Sequence, residues 1–468
     1  MNLIATLLVS NLIHFLPTDT TQHQLIVGSY TKKGNPGIEV YAVNAVTGKP
    51  KLLYTKENAN ASYLTIANNG KSMYAVTEGG KDASFVSAYQ LDATNQFQKL
   101  NQELIKGAAP CFIVSRPESK TVYTANYTSG SVSVFKTLDN GALLPIAQEI
   151  NYSGSSIHKA RQEASHAHNV VLTPDHNQLL VTDLGADKVY MHKIYADGLL
   201  DEKYTSVSIT PGNGPRHFVF NNSGTHGYLI NELSGTVDVF SIRANTLEKI
   251  QTITADTAKT TATKGSGDIH ISPSGKWLIT TNRVTSEQLT VFKIEADGKL
   301  TKMYHQPVAQ RPRNFSFSPN GNFVFVASQT EDKVQIFSFD DITGKLTNTN
   351  QDMAVSGPVC LVFSNDPIEV NPEERIKQLN IQLIPVVPPI ANYVKQVQVG
   401  NLVYLSGHGP DKPGGGQMFG HLGKDVTIEE GQQAARLTGI SMISTLKAYI
   451  GDLNKVKRIV KVLGLVNS

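Results

Sequence analysis

Asn314–Phe339, NFSFSPNGNFVFVASQTEDKVQIFSF, decides the fold. Phe315 and Phe317 alternate with polar neighbours, Pro319-Asn320-Gly321 turns the chain, and two further apolar runs follow, the last ending at Phe339. A period of two marks strands, and Asn-Gly marks a tight turn between them. The same arrangement recurs at Ile269–Ile294 (IHISPSGKWLITTNRVTSEQLTVFKI), His217–Ile242 and Asn169–Ile194, and more loosely at Phe112–Lys136 and Tyr63–Leu91. Units of roughly fifty residues built only of strands are the signature of a propeller. The chain is therefore expected to form an all-β seven-bladed propeller over 23–365, with functional side chains gathered at its axis.

The residue before each first strand can be aligned by the turn that follows it. That column reads Ser62, Cys111, His168, Arg216, Gly267, Arg313 and Val359. The longest interval in it runs from Cys111 to His168. The seventh copy begins at Pro358–Phe363 (PVCLVF) and stops; Leu25–Tyr30 (LIVGSY) and Ile38–Val43 (IEVYAV) match its missing second and third strands. The ring should close by pairing the N-terminal strands with the C-terminal one, which removes the free sheet edges. Alternation assigns Phe315, Phe317, Val324 and Val326 to the packing between blades, and Trp277 to the core.

At 468 residues the chain is too long for one ordinary domain. A net charge of +3, with no basic tract, argues against nucleic-acid binding. Cys111 and Cys360 fall in blades two and seven, with blade one between them, so no disulfide is expected; no metal-ligand spacing is present, and no cofactor is expected. The apolar run Leu3–Leu16 is too short to span a bilayer as a helix. It resembles a secretion signal, although it lacks a Lys/Arg n-region and is interrupted by Asn11 and His14. Residues 1–22 are read as a signal peptide and the location as periplasmic or secreted, with the cytoplasm as the alternative. No other segment is apolar enough to insert into a membrane.

Beyond Phe363 the composition changes. Residues 366–390 read as a linker, with Ile384–Pro389 extended. A strand pair within Val397–Leu405, a Gly-rich loop at Gly414–Gly423, a helix and a final strand at Val456–Val466 are expected in 391–468. Thr427 and Glu430 form a capping box, and Ala434, Leu437, Ile440, Ile443 and Leu446 recur at helical spacing. VGNLVYLSGHGP (399–410), GKDVTIEEGQQAARLTG (423–439) and VKRIVKVLGLVNS (456–468) resemble the RidA/YjgF family of imine deaminases. The resemblance implies an incomplete α+β RidA-like domain and oligomerisation through it if it folds. The family's Ala-Arg-Ser-type motif and its final helix and strands have no counterpart in this sequence.

A second column, at the end of each second strand, reads Tyr30, Glu78, Tyr127, Leu184, Glu232, Arg283 and Gln329. Blades three to six thus bring His168, Arg216, Glu232, Arg283, Arg313 and Gln329 to the channel, with Asn169, His217, Asp268 and Asn314 one residue along from the first column. Guanidinium groups make forked hydrogen bonds to carboxylate, phosphate or a developing oxyanion. A carboxylate or imidazole beside them acts as general base on water, and His168 is expected to titrate near neutral pH. No GxSxG elbow or HExxH is present, so serine-nucleophile and zincin routes are not indicated.

SHAHNVVLTPD (165–175), GNGPRHFVF (212–220), YLINELSGTVDVF (228–240), RPRNFSFSPNGNFVFVASQ (311–329) and ANYTSGSVSVF (125–135) resemble the lactonase seven-bladed propeller family. That family includes propeller-type 6-phosphogluconolactonases and carboxymuconate lactonizing enzymes, and the resemblance spans about residues 24–365. It implies catalysis by His168, Arg216, Glu232 and Arg283, with Arg313, Asn314, Gln329, His217, Asp268 and Tyr127 around a small lactone. Two positions depart from the family pattern: Cys111-Phe112 follows Pro110 where Cys-His is common, and Asp268 stands where Glu is common. Three functions are weighed: hydrolysis of a sugar δ-lactone, most simply 6-phosphogluconolactone; a muconate-type lactonizing isomerase; and a non-enzymatic binding module.

Overall fold

The computed structural model describes residues 22–467, apart from 32–33, 68–69, 93, 244–245, 260–262, 368–371, 374–375, 377–380, 387, 389–390 and 457–458. The apolar run Leu3–Leu16 lies outside the described residues. Two compact units divide between Ile368 and Glu369.

The first unit is the seven-bladed propeller. Its blades, in the order of the first column, begin at Leu64–Ala67, Pro110–Arg116, Ala167–Leu172, Pro215–Phe220, Ser266–Ile271, Pro312–Phe317 and Pro358–Pro367. Each is a four-stranded antiparallel sheet, of successive strands in blades one to six, and blade six adds the short Met353–Ala354. Blade seven is composite: Pro358–Pro367 pairs with Gln22–Ser29, followed by Gly37–Asn44 and Pro50–Glu57. Leu25 faces Phe363 and Ile26 faces Val362 across that closure. The closing strand continues to Pro367, opposite His23, beyond Phe363 where the sequence copy ends.

Alternation does the packing. In Phe323–Ser328, Phe323, Phe325 and Ala327 join blade seven residues such as Leu25 and Phe363 in one buried cluster. Val324 and Val326 point the other way and join Trp277, Ile279 and Phe315 between blades five and six. One strand thus feeds two interfaces, as its period of two requires. The same division recurs around the ring, so seven clusters fill seven blade-to-blade interfaces. Each fully buried Phe, Leu or Val contributes about 1.5–3 kcal/mol by area removed from water. Gly321 closes the first turn of blade six at φ 74°, a left-handed conformation that side chains with a Cβ disfavour.

The second unit holds the strand pair Gln396–Val399 and Leu402–Leu405 and the helix Ile428–Ile450. The capping box is formed: Thr427 Oγ1 accepts from the Glu430 N–H and the Glu430 carboxylate accepts from the Thr427 N–H. The apolar stripe Ala434 to Leu446 is only half-buried; the fully buried helix positions are Ser441, Ser444 and Thr445. Ser441 donates to Asp411 at 2.6 Å, Ser444 accepts from the Ile384 N–H at 3.1 Å, and Thr445 bonds His408 at 2.9 Å. The strand expected at Val456–Val466 is not formed among its described residues. A strand needs a ladder, and the backbone bonds among the described residues here are a local turn, from the Val456 N–H to the Leu453 carbonyl at 3.0 Å, and, just past the segment, one from the Leu422 N–H to the Asn467 carbonyl at 2.9 Å. Its apolar side chains are open to solvent, Leu465 by 90%.

Candidate active site

The first strands of neighbouring blades contact one another around the axis. In blades two to seven the register jumps where the first column sits: at Cys111, His168, Arg216, Gly267–Asp268, Arg313 and Val359. Each jump is a β-bulge, which leaves one residue unpaired and re-aims its side chain. The second column is locked to the first by a recurring backbone bond. The N–H groups of Tyr30, Glu78, Tyr127, Leu184, Glu232 and Gln329 donate to the carbonyls of Gly357, Asn60, Ala109, His166, Gly214 and Arg311. Arg283 differs: its side-chain Nε donates to the Gly265 carbonyl at 3.2 Å.

Glu232 is the hub. Its Oε2 accepts from Arg216 Nε at 3.1 Å and Arg283 Nη2 at 2.9 Å, with His168 Nε2 at 3.9 Å. Its Oε1 accepts from Arg161 Nη2 at 2.7 Å. Burial alone would raise the Glu232 pKa, but Arg283, Arg216 and Arg161 together bring it down to about 2. Glu232 is therefore a fixed anion at all ordinary pH. Arg216 is held on a second side as well, its Nη1 donating to the Gly267 carbonyl at 2.6 Å and lying 2.9 Å from His217 Nε2.

Blades six, seven and one build a second, looser group. The Arg313 guanidinium lies over the Tyr30 ring at 5.2 Å, a cation–π distance. Tyr30 donates to Glu78 at 2.9 Å, and Arg313 Nη2 is 3.9 Å from the same carboxylate. The channel therefore carries four guanidinium groups, Arg161, Arg216, Arg283 and Arg313, against two carboxylates, Glu232 and Glu78. That surplus suits an anionic ligand or a developing oxyanion.

A buried layer supports the arginines. His217 Nδ1 bonds Asp268 Oδ1 at 2.6 Å, and His270 Nε2 bonds Asp268 Oδ2 at 2.8 Å. Asn314 Nδ2 donates to Asp268 while its Oδ1 accepts the Leu361 N–H at 2.7 Å. Asn169 makes the equivalent bond to the Phe218 N–H at 3.1 Å. Burial and the neighbouring Arg216 hold His217 neutral, its pKa brought down to about 3. Burial opposes ionisation of Asp268 too, but His270 and His217 depress its pKa far below the carboxylate range. His217, Asp268 and Asn314 thus stitch blade to blade through hydrogen bonds within the protein. The side chain of Gln329 makes no hydrogen bond to a described residue and stays half-buried at the rim.

His168 departs from the sequence expectation of titration near neutral pH. Burial, then the charges of Arg216, His217, Arg313 and Arg283, push its pKa well below the usual imidazole value. It sits in the channel as a neutral base, 3.8 Å from Cys111 Sγ through Nδ1 and edge-on to Tyr127 at 5.5 Å between ring centroids. The Cys111 thiol is pushed far up by burial and by Glu78, so it is not a nucleophile. Phe112 stacks on Tyr63 at 3.9 Å and meets His217 edge-on at 5.1 Å, forming an aromatic wall where the family pattern has a histidine.

The family profile described as "Lactonase, 7-bladed beta-propeller" matches residues 24–363. The chain belongs to this lactonase family. A 6-phosphogluconolactonase of Formosa agariphila is 33% identical over 343 residues, covering 71% of this chain and 97% of the relative. The 6-phosphogluconolactonase of Bacillus subtilis is 31% identical over 345 residues, 72% of this chain and 97% of that protein. Among solved structures, the periplasmic gluconolactonase of Pseudomonas aeruginosa superposes with a TM-score of 0.69 at 32% identity, covering 73% of this chain and 99% of that one. A proposed 6-phosphogluconolactonase of Bacteroides fragilis gives 0.70 at 38%, covering 74% and 99%.

Within this lactonase propeller, the structure brings His168, Arg216, Glu232 and Arg283 together as the sequence expects, with Tyr127 and Arg313 beside them. Two members of the second column, Tyr30 and Glu78, prove to be part of the cluster through Arg313. Arg161 is the residue that repeat alignment misses altogether. It lies between Asn151 and Ala167, in the longest interval of the first column, outside any repeated strand.

Proposed function

We propose that the propeller channel hydrolyses a sugar δ-lactone, with 6-phospho-D-glucono-1,5-lactone the preferred substrate and 6-phosphogluconate the product. The observation that carries this reading is the buried Glu232 ringed by guanidinium groups, in a fold whose relatives are named as lactonases. Lactone opening needs a cation at the carbonyl oxygen and a proton acceptor for water, and both sides of that chemistry lie within one hydrogen-bonded cluster.

In this reading water attacks C1 and its proton passes to the Glu232–His168 pair, both unprotonated at neutral pH. The carbonyl π electrons move onto oxygen beside Arg216 and Arg283. Collapse of the tetrahedral centre breaks the bond from C1 to the ring oxygen, which takes the proton back as an alcohol. Arg313, held on Tyr30 and only loosely engaged by Glu78, receives the phosphate. Phe112 and Tyr63 shield one side of the site from water.

The test is acid release from 6-phosphogluconolactone and from glucono-1,5-lactone, with spontaneous opening subtracted, for wild type against Arg216→Ala. Loss of one oxyanion-stabilising group typically lowers the rate about 100–1000-fold. A wild-type rate equal to the spontaneous one on both lactones sinks the proposal. The phosphorylated substrate favours a cytoplasmic location; preference for the unphosphorylated lactone would favour export, as in the periplasmic gluconolactonase of Pseudomonas aeruginosa.

A further inference from the structure

Three guanidinium groups hold Glu232, and they are not equivalent. Arg216 and Arg283 share Oε2, are 2% and 11% exposed, and are each tied to a backbone carbonyl as well. Arg161 alone serves Oε1, and its side chain is 35% exposed. A single nitrogen, Nη2, carries both of its bonds, to Glu232 and to the Tyr127 hydroxyl at 3.2 Å. Its Nε and Nη1 make no hydrogen bond to a described residue, so Glu232 is held through one nitrogen and neither fork, Nε with Nη2 or Nη1 with Nη2, is used as a pair on one carboxylate.

The backbone beneath it is fixed. The N–H groups of Arg161 and Gln162 both donate to the His158 carbonyl, at 3.0 and 2.7 Å. The fully buried Gln162 side chain donates to the Leu184 carbonyl at 2.8 Å and to Asp187 at 2.7 Å. Downstream, the His166 N–H donates to Asp183 at 2.7 Å. Any change of partner is therefore made by the arginine side chain and not by the loop.

We propose that Arg161 is a further catalytic residue: when lactone binds, its guanidinium leaves Glu232 Oε1 for the C1 oxygen, where it stabilises the oxyanion and then the product carboxylate. This rests on the lactonase reading. The exchange also releases the carboxylate oxygen whose only partner among the described residues was Arg161, at the moment when a proton must be taken from water. Glu232 meanwhile loses one of the three cations that keep it a weak base, so acceptor strength rises only with substrate in place. When the product departs, Arg161 returns and Glu232 is again fully paired.

The experiment compares wild type, Arg161→Gln and Arg161→Lys in two measurements: steady-state kinetics on both lactones, and calorimetric titration with gluconate. Thermal unfolding verifies that the variants are folded. The expected result for Arg161→Gln is a fall in kcat of about 100-fold or more on both lactones, with KM within a few-fold. Arg161→Lys should recover part of kcat, and gluconate should bind Arg161→Gln at least about 10-fold more weakly. Unchanged gluconate binding overturns the inference, because an arginine that only braces Glu232 does not touch the product. A defect confined to the phosphorylated lactone overturns it as well, since that places Arg161 at the phosphate. Absence of lactone turnover by wild type defeats the proposed reaction, whereas Arg161-independent gluconate binding defeats this assignment.

Discussion

Glu232 and Glu78 occupy the same position of the repeat, the end of a second strand, in blades four and one. Both donate their backbone N–H to the carbonyl of the residue two before the first column, Asn60 and Gly214. Their side chains nevertheless live in different chemistry. Glu232 is buried under three arginines and ionised at any ordinary pH. Glu78 is partly open, accepts from a phenol and stands 3.9 Å from a single arginine. The repeat sets where a carboxylate is delivered; the neighbouring blades and one loop decide what it can do.

Exchanging each carboxylate for its amide should break this symmetry most sharply. Glu232→Gln removes the proton acceptor of the proposed reaction and the charge that three guanidinium groups share. Activity should fall by about 100–10,000-fold, and stability by about 3–5 kcal/mol, the usual result of stripping one partner from a buried pair. Glu78→Gln keeps an acceptor for Tyr30 and should cost about 1 kcal/mol or less in denaturant unfolding. Equal losses of lactonase activity in the two variants would show that the channel does not distinguish them.

Acid should act mainly on the Glu232 side. His168 and His217 have pKa values below their unfolded values, so the unfolded chain takes up protons that the folded one refuses. The His217 contribution is complete above about pH 6.5 and is lost as pH falls toward about 3, and that of His168 runs in the same direction. Glu232, depressed to about 2, adds stability present above its unfolded value near 4.5 and lost below it. His270, raised by Asp268, works in the opposite sense and loses its contribution as pH rises through its folded value. Melting temperature should therefore fall from pH 7 to pH 4, and His217→Gln should flatten that slope in a calorimetric series. A slope unchanged by His217→Gln would remove this residue from the account.

The smallest effect on substrate kinetics is expected from the stitches. Asn314→Ala removes a bond to Asp268 and another to the Leu361 N–H, and should destabilise by about 1–3 kcal/mol. Because Asn314 lies beneath the arginines, KM should change little; a large rise in KM would return it to the substrate contacts that sequence reading assigns to it.

The strands and the two columns were legible in the sequence because alternation, turn glycines and repeat spacing are local and occur in every copy. Closure was legible for the same reason: Leu25–Tyr30 and Pro358–Phe363 are fragments of one repeat. What sequence could not supply came from distance. The bulges at Cys111, His168, Arg216 and Arg313 exist only between two strands. The neutrality of His168 comes from cations in other blades, and the bonding of Asp268 and Asn314 from residues in adjoining ones. Arg161 has no counterpart in the repeat, so alignment passes over it; the long interval before His168 was its only trace. Val456–Val466 shows the opposite failure, since an apolar segment with strand composition makes no strand among its described residues, where no ladder is offered.

The pairing of Gln22–Ser29 with Pro358–Pro367 acts as a clasp. A closed ring of this kind has no intrinsic beginning: blade seven is seamed only because the chain is opened there. Opening it at another exposed turn, such as Ile342–Thr343, and joining the clasped strands covalently should preserve the bulges and the arginine cage. The clasp also sets the order of assembly. Six blades can stack as they emerge during synthesis, but the axis stays open on one side until Pro358–Phe363 arrives, so Arg313 meets Tyr30 only when the circle is complete.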